Sequence, residues 1–234
     1  MNTIEIIAEI GQNHNGDMEL AKQLIRHAKQ AGAGVAKFQL YDAKKLFPKE
    51  NNPWYDYNLS TELSRENLYT LADECNAVGI EFMASVFDIE RIEWLEAIEV
   101  KRYKIASRSI FDAELISSLI QTQKPIIASL GHWKEDNFPV INAKKIDYLY
   151  CVSKYPTELG DLKLNTIDFK KYSGFSDHTI GISASQIAMA KGAFIIEKHF
   201  TSDKTMHGPD HSCSMDINEL KQLCHFRDDL LASL

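Results

Sequence analysis

The chain has 234 residues, 44% hydrophobic and 25% charged, a balance that suits a water-facing protein with one large buried core. Its formal charge of −7 removes the electrostatic reason to expect nucleic acid or an anionic membrane surface as a partner. Its four cysteines include no CxxC pair, no apolar run approaches bilayer length, and the opening MNTIEIIAEIG lacks a basic stretch followed by a long apolar one; reduced thiols and a cytoplasmic location are expected.

In chain order, a short apolar strand over 4–10 ends at Gly11 and a polar loop over 12–16. Asp17 can cap a helix whose apolar positions Leu20, Ala21, Leu24, Ile25 and Ala28 recur at helical spacing until Gly32 stops it. The strand at 35–40 carries Lys37 and Gln39 in an otherwise apolar setting. Helices at 65–78, 88–98 and 112–121 then precede strands at 80–85, 102–105 and 125–129 in turn. A poorly patterned crossover over 133–145 leads to a strand at 148–152, and a weak helix near 164–171 leads to the segment from Tyr172. That segment runs into Ser176, Asp177 and His178; a helix at 180–191, a strand at 194–199 ending in Glu197, Lys198 and His199, and an amphipathic helix at 218–231 complete the pattern.

Eight strands alternating with helices, at roughly 29 residues per unit, match the economy of a single-domain (β/α)8 barrel over 1–234. A doubly wound open sheet competes, but it usually carries a glycine-rich phosphate loop after its first strand, and AEIGQNHNG lacks that spacing. The stretch from 41 to 64, with Pro48, Pro53, Trp54, Tyr55 and Tyr57, follows the second strand on the edge where barrels place their chemistry. It reads either as a lid or partner surface or as an irregular loop packed by its own aromatics.

His178 and His199 are separated by 21 residues, one crossover, so they emerge side by side at the same edge and can share a divalent metal. Asp177, Glu197, Asp210 and His211 are expected to crowd that edge. The other strand ends supply Glu9, Lys37, Gln39, Ser85, Lys104, Ser107, Ser129, Ser153, Tyr155 and Ser176. A lysine in an apolar strand needs a partner to tolerate burial. For Lys37 and Lys104 that partner is a phosphorylated anionic ligand, or else a structural ion pair with Glu9 or Glu197.

The segments AEIGQNHNG, AKFQ, YKIAS, CVSKYP, GFSDHTIG, EKHFT and GPDHSCSMD run almost end to end, and in these the chain resembles the sialic acid synthase family. That resemblance implies a (β/α)8 barrel in which phosphoenolpyruvate and an amino-sugar aldehyde meet beside a divalent metal, typically Mn2+, with Mg2+ and Co2+ as alternatives. It implies His178 and His199 as metal ligands and Lys37, Gln39, Lys104, Ser107 and Ser129 as holders of the phosphate and carboxylate. Ser85, Ser153, Tyr155 and Ser176 would line the same pocket, while Glu9, Lys104, Glu197 and Asp210 would take the catalytic roles.

The chain departs from the family where Arg108 and Ser109 follow Ser107, in Ala84-Ser85-Val86-Phe87, and in Ser129-Leu130-Gly131, changes on the sugar side. Family members usually continue into a small domain resembling type III antifreeze proteins, which gives an arginine to the sugar site of a homodimeric partner; here Leu234 follows the eighth helix directly. That domain is expected as a separate chain, as a part cut away, or as dispensable with Arg108 as a local substitute cation. Competing functions are a phosphoenolpyruvate synthase acting on another aldose and a catalytically silent barrel that binds a sugar acid or a partner protein.

Overall fold

The computed structural model describes residues 3–234. All eight strands are present, at Glu5–Gly11 (β1), Val35–Leu40 (β2), Glu81–Val86 (β3), Tyr103–Ile105 (β4), Ile126–Ser129 (β5), Ile146–Cys151 (β6), Gly174–Asp177 (β7) and Ile195–His199 (β8). Each pairs in parallel with its sequence neighbour, and β1 pairs with β8 from Glu5↔Ile195 to Glu9↔His199, which closes the barrel. This is the (β/α)8 architecture, and it has no open sheet edge.

The helices are Met18–Ala31 (α1), Ala43–Leu46 (α2), Tyr55–Ser60 (α3), Arg65–Val78 (α4), Glu90–Ala97 (α5), Ala113–Gln121 (α6), Ser183–Ala190 (α7) and Ile217–Ser233 (α8). Helix α1 forms as its spacing demands. The Asp17 carboxylate accepts from the Glu19 and Leu20 amides, Gly32 takes a left-handed φ of 98°, and Ala21, Leu24, Ile25 and Ala28 are buried against the strands. A cap of that kind contributes about 1 kcal/mol.

Two crossovers differ from the expected alternation. Between β5 and β6 no helix forms, because Pro139 and the turn-forming Asn137 and Asn142 interrupt any helical run; Trp133, Phe138 and Ile141 pack on the core as coil instead. Between β6 and β7 the expected weak helix shrinks to a 3-10 turn at Leu164–Thr166, entered through Lys163 at φ 48°. The stretch after β2 folds into α2 and α3, each under two turns long, and packs Tyr41 edge-on against Phe47 and Phe87.

Strand alternation separates the core into two parts. Ile6, Ala8, Ile10, Phe38 and Phe175 pack outward under the helices, while Ile7, Val35, Met83, Ile127, Leu149 and Ile195 form a separate apolar cluster filling the barrel interior. Two residues further along those strands stand Glu9, Lys37, Ser85, Ser129, Cys151 and Glu197, all buried. The inner face therefore reads apolar and then polar toward the strand C-termini, and the chemistry rests on a packed floor. All four cysteines are free and buried, and among the described residues no helix is long and apolar enough to cross a membrane.

Candidate active site

Above the apolar floor, the C-terminal ends of the strands enclose an inner chamber of about 60 Å3. It is lined by Glu9, Lys37, Gln39, Ser85, Lys104, Ser107, Ser129, Tyr155, Ser176, His178, Glu197 and His199. An outer chamber of about 390 Å3 shares Gln39, Ser107, Tyr155 and His199 with it and adds Arg108, Ser153 and Asp210. The fifteen residues to which the family resemblance gave site roles, or which it put in doubt on the sugar side, thus line one or other chamber. For those on strands the period-two geometry of a closed parallel barrel accounts for this, while Ser107, Arg108, Ser153, Tyr155, His178 and Asp210 come from the turns and loops just beyond the strand ends.

The inner chamber is a charge network. Lys37 Nζ lies 2.7 Å from Glu9 Oε2 and 3.5 Å from Glu197 Oε2, and donates to Ser85 Oγ at 3.0 Å. Lys104 Nζ lies 3.5 Å from Glu197 Oε1 and donates to Ser129 Oγ at 2.7 Å and to the Ile105 carbonyl at 3.1 Å. Ser176 Oγ donates to Glu197 Oε1 at 2.9 Å, and the Gln39 amide donates to Glu9 Oε1 at 3.1 Å. The ion pairs expected as the alternative to an anionic ligand are therefore present, with Glu197 between two ammonium groups.

Their titration follows from that geometry. Burial alone would raise the Glu197 carboxyl, but Lys104 and Lys37 overcome it and hold the group at about 2. Burial disfavours the Lys37 charge, yet Glu197 and Glu9 outweigh it and raise the group. Lys104 moves the other way, lowered by burial and by the like charge of Lys37 against the pull of Glu197. Glu197, in contact with both ammonium groups, is the anion that offsets their mutual repulsion, and Glu9 adds a second contact to Lys37.

On the far wall the His178 and His199 rings have centroids 5.7 Å apart, with Tyr155 packed 4.1 Å from the first and 6.0 Å from the second. His178 Nδ1 donates to the Val152 carbonyl at 2.9 Å, which leaves Nε2 as the lone-pair nitrogen. Burial, reinforced by His199, pushes His178 down to about 3, so the imidazole is neutral at physiological pH. His199 Nδ1 is buried without a hydrogen-bond partner, 3.9 Å from Asp210 Oδ2. One imidazole fixed in its tautomer, and a second holding an orphaned buried nitrogen, fit an open divalent-metal site. Among the described residues no three His, Cys, Asp or Glu groups are placed to form a closed metal site, so the remaining coordination positions would fall to water or a ligand.

Two expected neighbours lie elsewhere. Asp177 alternates with inward-facing Ser176 and points outward, where its carboxylate pairs with Lys198 at 3.3 Å and accepts from Ser185 Oγ on α7. His211 is buried outside both chambers, against Thr201 Oγ1 at 2.7 Å and Asn15 Oδ1 at 3.0 Å. Gln12, Phe47, Asn52, Trp54, Asn58, Phe87 and His132 also wall the outer chamber; sequence reasoning gave none of them a site role, although it named Trp54 in the stretch after β2 and Phe87 among the sugar-side changes. The signal for four of them was the long stretch after β2, whose α3 carries Tyr57, the hydroxyl of which donates to the Gln12 carbonyl; Trp54 and Tyr57 both pack on His207 of the loop after β8.

Gly131, at the end of β5, is set by the chamber walls. A Cβ there would lie 2.3 Å from Ser153 Oγ, 2.8 Å from Ser107 Oγ and 2.9 Å from Cys151 Sγ. Its absence lets the His132 amide reach Ser107 Oγ at 2.9 Å.

A closed eight-stranded barrel that gathers paired lysines, glutamates and two imidazoles at the C-terminal ends of its strands belongs to the class that binds ligands on that face of a (β/α)8 fold. Residues 24–233 match the NeuB family. The N,N'-diacetyllegionaminic acid synthase of Legionella pneumophila is 38% identical over 94% of this chain and 70% of its own length; the N-acetylneuraminate-9-phosphate synthase of Drosophila melanogaster is 33% identical over 95% and 67%. The crystal structure of an N-acetylneuraminic acid (sialic acid) synthetase from Leptospira borgpetersenii, in complex with citrate, superposes with a TM-score of 0.91 at 31% identity, covering 99% of this chain and 85% of that one. The chain belongs to the NeuB family, and the two relatives just described are named as sugar acid synthases.

Proposed function

We propose that the protein is a transferase that condenses phosphoenolpyruvate with the open-chain aldehyde of an N-acetylated hexosamine, giving a nine-carbon 2-keto sugar acid and phosphate. The observation that carries this reading is the inner chamber, where Lys37 and Lys104 stand among Ser85, Ser107 and Ser129 beside the imidazole pair. Two ammonium groups and a ring of hydroxyls suit a small acid bearing both phosphate and carboxylate. In this reading the lysines exchange part of their contact with Glu9 and Glu197 for the ligand.

His178 and His199 would hold a divalent cation, proposed as Mn2+; two imidazoles alone do not choose between Mn2+, Mg2+ and Co2+. When bound, the cation supplies Lewis acidity at the aldehyde oxygen. The enol carbon of phosphoenolpyruvate attacks the aldehyde carbon to form the new C–C bond. Water adds to the carbon that carried the phosphate, and phosphate leaves with C–O cleavage. Glu197, held ionised by its two lysines, keeps both ammonium groups aimed at the phosphate as it departs. Glu9, beside Lys37, and Asp210, beside His199, are the carboxylates that would take the proton of the incoming water and return one to the new hydroxyl.

The outer chamber would seat the acceptor. The names of the relatives differ in the sugar acid made, so the acceptor depends on these walls rather than on the floor. Arg108 lies over the Phe47 ring at 5.3 Å and reaches only the Leu46 carbonyl at 3.4 Å, which leaves its guanidinium available to an acceptor oxygen.

The test mixes the protein with phosphoenolpyruvate, Mn2+ and a panel of N-acetylated hexosamines and measures inorganic phosphate, with a chelator control. Acceptor-dependent release that the chelator abolishes is the expected result. No release with any acceptor would overturn the proposal and favour a silent, ligand-binding barrel.

A further inference from the structure

The outward-facing pair Asp177 and Lys198 is more completely buried than any charged group of the chambers, both side chains being wholly inaccessible. The reaction described above gives it no part, and an ion pair taken so far out of water needs unusually full compensation. That compensation runs through one short loop. Asp177 Oδ1 accepts from both the amide and the hydroxyl of Thr179 at 2.8 Å, Asp177 Oδ2 accepts from Ser185 Oγ at 2.6 Å, and Lys198 Nζ donates to the Thr179 carbonyl at 2.5 Å. Asp177 and Lys198 are also directly opposed in the β7–β8 ladder.

The residue between Asp177 and Thr179 is His178, and the residue after Lys198 is His199. Both flanks of the first imidazole are therefore tied to the side chain that immediately precedes the second. The Thr157 amide, which donates to the His178 carbonyl at 2.9 Å, fixes the remaining backbone group. On the inner face the same two strands set Ser176 opposite Glu197. The pair thus locks the loop carrying one ring to the strand carrying the other, through side chains that are wholly buried behind the chamber wall, which Lys198 itself helps to line.

We propose that Asp177 and Lys198 are positioning residues that set the distance and angle between His178 and His199, and so determine how tightly the two imidazoles grip a divalent cation. This inference rests on the metal reading given above. Supports of this kind around metal-binding histidines change affinity by about 10–100-fold when removed.

The experiment measures Mn2+ binding to the whole chain, without substrates, by electron paramagnetic resonance of free Mn2+. It compares the wild-type protein, the double variant Asp177→Asn/Lys198→Met, the milder variant Ser185→Ala and the ligand variant His178→Ala. The double variant removes both charges together, so no lone buried ion is left and the fold should persist, as near-ultraviolet circular dichroism will show. The expected result is Mn2+ affinity about 10–100-fold weaker in the double variant, with a smaller loss in Ser185→Ala, whose α7 hydroxyl is one of the acceptor's three donors. Folded variants that bind Mn2+ as tightly as wild type would overturn the positioning role. If the double variant does not fold, Ser185→Ala decides alone by the same criterion. His178→Ala separates the two readings: if it binds Mn2+ like wild type, the metal site itself is wrong.

Discussion

Replacing Glu197 with Gln removes the anion between Lys37 and Lys104 while keeping an oxygen that can accept from Ser176 Oγ. The magnitude can be worked in two ways. The Glu197 carboxyl sits at about 2 against an ordinary 4.5, and at about 1.4 kcal/mol per tenfold this corresponds to about 3 kcal/mol. Breaking a buried ion pair by removing one partner costs about 3–5 kcal/mol. The lower figure is expected, because Lys104, already lowered by burial and by Lys37, can shed its proton and so limit the repulsion left behind. In a protein of this size that is a fall of about 6–12 °C in thermal midpoint. Since the folded carboxyl binds its proton less readily than the unfolded one, its stabilisation is complete above about pH 4.5 and fades as pH drops toward 2. Paired melts of wild type and Glu197→Gln should therefore differ by about 3 kcal/mol at pH 7 and converge in acid. Equal stability at pH 7, or a gap that persists undiminished near pH 2, would refute the account of this network.

Arg108→Ala should raise the acceptor KM about tenfold, the loss of one charged hydrogen bond at a partly exposed wall, and leave the phosphoenolpyruvate KM unchanged. Steady-state phosphate release checks this, and an unchanged acceptor KM removes Arg108 from the acceptor site. Gly131→Ala forces a methyl group into Ser153, Ser107 and Cys151 and should cost about 1–3 kcal/mol, about 2–12 °C in a melt, with a higher phosphoenolpyruvate KM as Ser107 shifts. A wild-type melt and KM would show that the chamber wall is slack.

The strands were legible in the sequence because each is a short apolar run ending at a turn; inner residues on the strands obey alternation, while Ser107, Ser153, Tyr155, His178 and Asp210, beyond the strands, rested on position near a strand end or on the family resemblance. The same alternation also assigned Asp177 to the outer face, since Ser176 points in; grouping it with Glu197 and Asp210 treated nearness in sequence as nearness in space. The helices expected after β6 and the vague crossover after β5 failed for a local reason, in that few residues there repeat at helical spacing and Pro139 and Lys163 impose their own backbone geometry. The walls of the outer chamber were the least readable part. Phe47, Asn52 and Trp54 reach it through packing between the stretch after β2 and the loop after β8, a long-range contact with no periodic trace.

The inner chamber, above its apolar floor, holds two lysines paired with two glutamates, a set of opposite formal charges that balance. A cluster of bare ammonium groups would draw anions from a distance and strain the empty barrel; this arrangement does neither. On the proposed function, an arriving acid would be recognised at contact, by taking over part of the lysines' contact with the carboxylates already there, so selection would depend on the shape and number of the ligand's oxygens more than on its overall charge. Capture by such a seat should respond weakly to added salt.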